Sequence, residues 1–398
     1  MIITPKVRGF ICTTAHPQGC AENVHQQINY VRTQPHPTGP KNVLIIGCSG
    51  GYGLASRIVS AYGYGAATLG IMFEKPAVGK RTASPGWYNT AAFEEFAQQD
   101  NLYAKTINGD AFSDAIKQET IETIKQDFPG GIDLIIYSLA APKRIDATGA
   151  VYTSTLKTID TPFTEKTVNV LTGEVSATTI EPASETEIEH TIKVMGGEDW
   201  QLWIDALLSA NVLADGANTI AYSYVGPEIT YPIYRHGTIG KAKTHLEATT
   251  MEIQQKLSSI NGHAVISVNK AVVTQASSAI PIVPLYVAIL YKVMKQQGNH
   301  EGCIEQIYRL FAGLYAKQEL TRDDNGFVRL DDWELQDDIQ AKVKQIWQQI
   351  NSANILDISD LSGYRNEFYR LFGFGIDNID YQAEVNPERN IPSVPTSI

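Results

Sequence analysis

The chain has 398 residues and a formal net charge of −11, which argues against nucleic acid as its main partner. Its 43% hydrophobic and 19% charged residues are typical of a globular protein, and the N-terminus lacks the pattern of a signal peptide. The most apolar run, residues 279–294, contains two prolines and is too short to span a bilayer. We therefore expect a cytoplasmic protein without membrane insertion, and the spacing of its four cysteines and eight histidines indicates no metal site.

Strands and helices alternate along the first third of the chain. Val43–Ile46 is a short apolar run typical of a buried parallel strand, and it is followed by a glycine-rich turn and a helical segment. Further strands are predicted at 66–74, 102–108 and 132–140, with helices between them. This order predicts an α/β fold, a Rossmann-like doubly wound parallel sheet.

The composition shifts after Asp146. Threonine-rich alternating stretches around a Thr-Gly turn predict a β-hairpin insertion, and Ser184 with Glu187 forms the capping-box pattern that begins a helix. Two more strands, from residues 217 and 263, precede four helices predicted near 284–298, 302–318, 333–350 and 357–372. We predict one large domain, 1–398, divided into an N-terminal extension (1–40), a first cofactor-binding half (41–145), the insertion (146–200), a second half (201–285) and a C-terminal helical elaboration (286–398).

Gly47, Gly51 and Gly53 fit the pattern G-x-x-x-G-x-G between the first strand and its helix. Residues without Cβ let backbone N–H groups and the helix N-terminus approach a pyrophosphate, so we favour a dinucleotide-binding turn. The same letters satisfy G-x-S-x-G, which would make Ser49 the nucleophile of an α/β-hydrolase. The strand comes early in the chain for such a nucleophile, so that hydrolase and a purely structural turn remain the alternatives.

Candidate nucleotide contacts follow the next strands. Glu74 ends the second strand, where a carboxylate accepts hydrogen bonds from an adenosine ribose 2′-OH and repels a 2′-phosphate, which favours NADH over NADPH. Lys75 follows it and would partner a phosphate, so the strictness of that preference stays open. Asp110 ends the third strand, where an adenine contact and a turn-forming aspartate are equally good interpretations. Leu139 and Ala140 end the fourth strand beside the expected path of the cofactor.

Tyr234 and Lys243 would face opposite ways on a continuous helix, because they lie nine residues apart. They can meet only if Tyr234 lies in the preceding loop, with Thr238 as candidate N-cap of a helix starting near Ile239. A phenol beside an ammonium has a lowered pKa and can protonate an oxyanion while the lysine holds a ribose hydroxyl. Tyr224, at a strand end, is placed to lie opposite. Ordinary surface tyrosines remain the alternative.

Long segments of the chain resemble the FabV-type enoyl-acyl-carrier-protein reductases, which are also trans-2-enoyl-CoA reductases. The similarity runs from VRGFICTTAHPQGC through NGDAFSD, VMGGEDWQLWIDALL and AVVTQASSAIP to LFGFGIDNIDY. Tyr234 and Lys243 match the family's Y-x8-K motif. The resemblance implies a monomeric enzyme that uses NADH to reduce the trans-2 double bond of an enoyl thioester, the last reductive step of fatty acid elongation. A nucleotide-sensing Rossmann protein without catalysis is the remaining alternative.

The resemblance also implies roles for individual residues. Tyr234 would be the proton donor and enolate partner, Lys243 would bind the nicotinamide ribose, and Tyr224 would contact the thioester. The cofactor-binding residues would be Gly47, Cys48, Ser49, Gly50, Gly51 and Tyr52 at the pyrophosphate, Phe73 and Glu74 at the adenosine ribose, Asp110 and Ala111 at the adenine, Leu139 and Ala140 along the cofactor, and Val272, Val273 and Thr274 at the nicotinamide carboxamide. Thr244 replaces a second lysine found in many members, which leaves open the role of Lys241 and whether acyl carrier protein or CoA carries the substrate.

Overall fold

The computed structural model describes residues 1–9, 11–35, 37–316 and 318–395. The strands, in chain order, are β1 (Val7–Arg8), β2 (Ile11–Cys12), β3 (Asn42–Ile46), β4 (Ala67–Met72), β5 (Ala104–Asn108), β6 (Ile132–Tyr137), β7 (Lys143–Ile145), β8 (Val151–Thr153), β9 (Phe163–Val168), β10 (Val175–Ile180), β11 (Leu213–Ser223), β12 (His263–Val268) and β13 (Val328–Arg329). The helices are α1 (Pro17–Arg32), α2 (Gly51–Ile58), α3 (Pro85–Gln99), α4 (Asp114–Asp127), α5 (Glu185–Met195), α6 (Glu198–Ser209), α7 (Thr238–Leu257), α8 (Val283–Gln297), α9 (Cys303–Tyr315), α10 (Asp337–Gln349), α11 (Ile355–Ile358) and α12 (Leu361–Arg370).

Seven strands form one parallel sheet in the order β5-β4-β3-β6-β11-β12-β13. The order of the strands in the chain reverses between β3 and β6, so the predicted doubly wound α/β fold is confirmed. In open sheets of this kind, ligands bind outside the carboxyl ends of the strands at that reversal. The sheet therefore places the glycine-rich turn after β3 at the position where a ligand is expected.

The two faces of the sheet pack into separate hydrophobic cores. Val43 and Ile45 of β3 join the core that contains buried residues of α1, α2, α3, α8 and α9. Leu44 and Ile46 join the other, with Trp200 of α6. Alternate residues point to opposite faces of a strand, and helices cover both faces, so β3 is apolar from Val43 to Ile46.

The predicted hairpin insertion is confirmed as the antiparallel pair β9–β10, and Ser184 and Glu187 form the predicted capping box at the start of α5. A second hairpin, β7–β8, precedes it and was not predicted. Helix α1 also lies in what the sequence analysis treated as an N-terminal extension. It begins at Pro17, and its buried Val24, Ile28 and Val31 follow helical spacing.

The C-terminal helices are confirmed with one change, because the last predicted helix is divided into α11 and α12. The division of the chain into five parts stays a prediction, and residues 10, 36, 317 and 396–398 of the predicted domain lie outside the described residues. Within the described part of the chain, no helix is both long enough and apolar enough to cross a bilayer.

Candidate active site

The glycine-rich turn after β3 has the geometry of a nucleotide-binding turn. Gly47 has a φ of +89°, and a Cβ there would lie 2.1 Å from the carbonyl oxygen of Ser138. A Cβ on Gly53 would lie 1.8 Å from the Gly47 oxygen, so that glycine lets α2 pack closely against the turn. A Cβ on Gly50 would have no atom within 4 Å, so the outer side of the turn is open. The turn therefore fits the approach of a pyrophosphate to the backbone at the N-terminus of α2.

Glu74 is held beside this turn at the carboxyl end of β4. Ser49 Oγ donates a hydrogen bond to Glu74 Oε1 at 2.7 Å, and Asn89 Nδ2 donates to the Ser49 carbonyl at 3.0 Å. The Glu74 backbone N–H donates to Asn108 Oδ1 at 2.8 Å, and Asn108 Nδ2 donates back to the Glu74 carbonyl at 3.1 Å. The carboxylate is thus held in place beside the turn, and its contact with the adenosine ribose stays a prediction. The Ser49 hydroxyl contacts an acid, and in the described residues it has no histidine partner, so the site lacks the base that a hydrolase requires.

Phe73 was predicted at the adenosine ribose, and Asp110 and Ala111 were predicted at the adenine. Phe73 is 75% exposed beside Glu74. Asp110 Oδ1 accepts the Phe112 backbone N–H at 3.0 Å, so Asp110 forms the turn that was one of its two interpretations. The Ala111 carbonyl accepts a hydrogen bond from Lys117 Nζ of α4 at 3.1 Å, which holds this turn against α4. These contacts are compatible with an adenine site, and the adenine contact itself stays a prediction.

The loop after β12 lies against the same glycine-rich turn. Thr274 Cγ2 lies 3.6 Å from the position of a Cβ on Gly51, and Leu139 approaches the Cβ position of Gly47 at 3.2 Å. The Tyr52 hydroxyl donates to the Lys270 carbonyl at 2.8 Å, which ties α2 to this loop. Val272 and Val273 are buried, whereas Ala140 is exposed. The structure therefore brings together residues predicted at the pyrophosphate and at the nicotinamide.

Tyr234 lies off the helix, as its spacing from Lys243 predicts. Its backbone N–H donates to the Thr230 carbonyl at 2.9 Å, in a turn that precedes α7. The predicted N-cap is wrong by one residue: Gly237 is the N-cap, and Thr238, the first helical residue, donates its hydroxyl to the Thr155 carbonyl at 2.6 Å.

Tyr224, which follows β11 directly, packs edge-to-face on Tyr234 with ring centroids 4.7 Å apart and an interplanar angle of 84°. The Tyr234 hydroxyl has no hydrogen-bond partner among residues 1–9, 11–35, 37–316 and 318–395. It is therefore free to contact a substrate.

Lys243 approaches the end of β11 rather than the Tyr234 hydroxyl. Its Nζ donates to the Tyr222 carbonyl at 3.1 Å, and burial lowers the pKa of Lys243 to about 8. Burial also raises the pKa of Tyr234, so the expectation that the lysine lowers the pKa of this phenol is wrong. The cost of moving a phenolate out of water outweighs the effect of an ammonium that bonds elsewhere.

Three family models match successive parts of the chain: the NAD(P)H binding domain of trans-2-enoyl-CoA reductase at residues 2–79, the trans-2-enoyl-CoA reductase catalytic region at 81–315, and an enoyl reductase FAD binding domain at 322–385. The chain belongs to the trans-2-enoyl-CoA reductase family. The catalytic-region model contains Tyr224, Tyr234 and Lys243.

Relatives and solved structures agree with this family over nearly the whole chain. An enoyl-[acyl-carrier-protein] reductase [NADH] of Coxiella burnetii is 58% identical over 99% of this chain and 98% of its own length, and that of Flavobacterium johnsoniae is 56% identical over 99% and 100%. The structure resembles Clostridium acetobutulicum trans-2-enoyl-CoA reductase in complex with NADH (TM-score 0.95, 46% identity, 97% of this chain and 98% of that one). It also resembles the Treponema denticola enzyme in complex with NAD (TM-score 0.93, 48% identity, 98% and 99%).

The third family model names a flavin, and the residues of 322–385 do not fit one. This region of the reductase contains a two-residue edge strand, β13, followed by α10, α11 and α12. Helices α10 and α12 pack on α8, and the described residues of the region contain no strand, glycine-rich turn and helix in succession. In the part of the chain that the structure describes, that succession follows β3, and it is what holds a dinucleotide pyrophosphate. The residues present therefore fit a nicotinamide dinucleotide at that turn.

One residue of that C-terminal region enters the site and was missed by sequence reasoning. The Tyr224 hydroxyl donates to Glu334 Oε1 at 3.1 Å. Glu334 is fully buried, and burial raises the pKa of its carboxyl group. It belongs to no spacing motif and lies 110 positions from Tyr224 in the chain, so only the fold brings the two together.

Proposed function

We propose that Tyr234, Tyr224 and Lys243 carry out the chemistry of this NADH-dependent enoyl-thioester reductase. The observation that supports it best is that Tyr222 contacts both Tyr52 of the glycine-rich turn and Lys243. The rings of Tyr222 and Tyr52 are 5.6 Å apart, so Tyr222 contacts the glycine-rich turn, while its carbonyl accepts from Lys243 Nζ. The cofactor turn, the lysine and the tyrosine pair thus share the carboxyl edge of the sheet.

When bound at the turn after β3, NADH would supply a hydride to the β-carbon of the enoyl thioester, and the negative charge that develops on the thioester oxygen would need a hydrogen-bond donor. Burial raises the pKa of Tyr234 further above neutrality, so the phenol is protonated at pH 7 and its hydroxyl can donate a hydrogen bond to that oxygen. A preorganised donor of this kind is worth about 3 kcal/mol in the transition state. Protonation at the α-carbon, with Tyr234 as the proton donor, completes the saturation.

Lys243 would hold the nicotinamide ribose with its ammonium group. The Tyr222 carbonyl takes one of its three N–H donors, which leaves donors for ribose hydroxyls. On the other side of the turn, Glu74 would accept from the adenosine ribose, and Val272–Thr274 would reach the carboxamide. Tyr224 would contact the thioester beside Tyr234.

We further propose a cytoplasmic monomer that reduces enoyl thioesters of CoA or of acyl carrier protein. The four cysteines are unpaired, which suits a reducing compartment. Thr244, at the position of the second lysine, is exposed and donates to the Gly240 carbonyl at 3.0 Å. Comparing kcat/KM for crotonyl thioesters of the two carriers would decide between them.

The test of the tyrosine role is Tyr234→Phe assayed with crotonyl-CoA and NADH, following the loss of nicotinamide absorbance. We expect kcat to fall about 100-fold or more, the effect of removing one oxyanion donor, while the KM for NADH changes little. Tyr231→Phe is the matched control, because Tyr231 lies three residues away and packs on His236. Full turnover by Tyr234→Phe would refute the assigned role.

A further inference from the structure

Glu334 joins three groups that belong to different parts of the site. Its Oε1 accepts from the Tyr224 hydroxyl at 3.1 Å and from the Tyr286 hydroxyl at 2.6 Å. Its Oε2 accepts the Ala271 backbone N–H at 2.7 Å. Ala271 directly precedes the loop expected at the nicotinamide, and Tyr224 packs on Tyr234. One fully buried carboxylate thus connects the nicotinamide loop to the tyrosine pair.

We propose that Glu334 is a positioning residue that holds the Tyr224 ring, and through it Tyr234, in register with the nicotinamide loop. The inference rests on the proposed roles of Tyr224 and Tyr234. A carboxylate offers only acceptors, so the Tyr224 hydroxyl donates its proton to Glu334. Toward the substrate, Tyr224 then offers only the lone pairs of its hydroxyl oxygen and the surface of its ring. Its edge-to-face contact with Tyr234 then fixes where the Tyr234 hydroxyl lies.

The segment that carries Glu334 is itself held firmly. The backbone N–H groups of Leu330 and Asp331 donate to the Val268 carbonyl at 2.8 and 3.2 Å, at the end of β12. Gln340 Nε2 donates to the Glu334 carbonyl at 2.6 Å from α10. A carboxylate on a segment that is hydrogen-bonded to the end of β12 and to α10 is a fixed reference point, which is what positioning requires.

The buried charge of Glu334 is not needed for packing alone. A buried acid is expensive to desolvate, and a neutral residue of similar volume often serves stability equally well. Burial raises the pKa of Glu334, and the nearby charge of Lys270 acts in the opposite direction and lowers it. Lys270 therefore partly offsets the cost of burying the carboxylate. Because stability alone does not require a carboxylate at this position, we infer that its hydrogen bonds to Tyr224 and to the nicotinamide loop serve to position those groups.

The test compares Glu334→Gln with Glu94→Gln. Glu94 is also buried, and it likewise accepts from two hydroxyls, of Thr106 and Ser393, and from one backbone N–H, of Ser393. It is a residue of α3 that contacts β5 through Thr106, and it also pairs with the buried guanidinium of Arg57 at 3.5 Å. Gln cannot accept at both of its terminal atoms, so each substitution breaks one hydrogen bond of a similar set. We expect Glu334→Gln to lower kcat at least 10-fold with the KM for NADH within about threefold, because small misplacement of reacting groups is costly. Glu94→Gln should lower the melting temperature and keep kcat within about twofold.

A double variant separates positioning from general damage. If Glu334 acts through Tyr224, adding Glu334→Gln to Tyr224→Phe produces no further loss of kcat. Losses that multiply, or a Glu334→Gln enzyme with wild-type kcat, would overturn the inference. If Glu334→Gln is not recovered folded, Glu334→Met fills a similar volume without a buried charge and is judged by the same criteria. Wild-type enzyme and Tyr234→Phe run in the same assay show separately whether the proposed tyrosine chemistry holds.

Discussion

Gly53→Ala sets two known effects against each other in the cofactor turn. Gly53 lies inside α2, where replacing glycine by alanine ordinarily stabilises a helix by about 1 kcal/mol. The added Cβ would lie 1.8 Å from the Gly47 carbonyl oxygen and 2.9 Å from its carbon, and both are backbone atoms. Overpacking of this kind costs about 1–3 kcal/mol, or more when backbone must move. The cost of the clash should therefore exceed the gain in helix propensity, and we expect the free energy of unfolding to fall by about 1–2 kcal/mol.

The same shift moves the Gly47 carbonyl and should weaken NADH binding. We expect the Kd for NADH, measured by fluorescence titration, to rise about tenfold, alongside a lower urea midpoint. Gly50→Ala is the informative partner: its φ of −160° suits any residue, and its Cβ would meet no protein atom within 4 Å. That variant should keep nearly all of its stability but bind NADH less tightly, because the methyl group would occupy the approach of the pyrophosphate. Wild-type stability and affinity in Gly53→Ala would refute this account of the turn.

Two further predictions concern charge. Glu74→Gln removes the charge that repels a 2′-phosphate, so the preference for NADH over NADPH in kcat/KM should fall about tenfold, and an unchanged preference would exclude Glu74 as its source. For Lys243, burial disfavours the charged form, so its ammonium is present below a pKa of about 8 and lost above it. We therefore expect kcat/KM for NADH to fall as the pH rises through 8, and Lys243→Arg should move that fall to higher pH. A fall that stays near pH 8 in Lys243→Arg would instead be assigned to Lys270, whose pKa burial also lowers to about 8.

The parallel sheet could be predicted because buried strands such as β3 and β6 contain short apolar runs, Val43–Ile46 and Leu134–Ile136, that are followed by turn residues. The edge strand β13 could not, since Val328–Arg329 has no pattern of its own and exists through pairing with β12. Helix α1 carries a readable pattern of buried residues every three or four positions, and closer attention to that spacing would have found it.

The geometry of the reaction centre was predictable where it depended on spacing. The nine-residue separation of Tyr234 and Lys243 requires a tyrosine outside the helix, and the turn before α7 provides it. The electrostatics were not predictable, because the pKa of a phenol depends on its burial as much as on its neighbours. Likewise, nothing in the sequence indicates that Asn108 holds Glu74 or that Glu334 holds Tyr224.

The C-terminal region packs against the loop that is proposed to bind the nicotinamide carboxamide. Glu334 holds the loop after β12 at Ala271, and from the other side the Tyr364 hydroxyl of α12 donates to Ser278 Oγ at 3.3 Å. Between those two anchors lies the segment expected to bind the nicotinamide carboxamide. A loop that must present backbone groups to a ligand cannot also be stabilised by ladder hydrogen bonds on that side, so its support has to come from behind. The turn that carries Glu334 and helix α12 supply that support, which explains why a region that does not fit a flavin nevertheless packs against the proposed site.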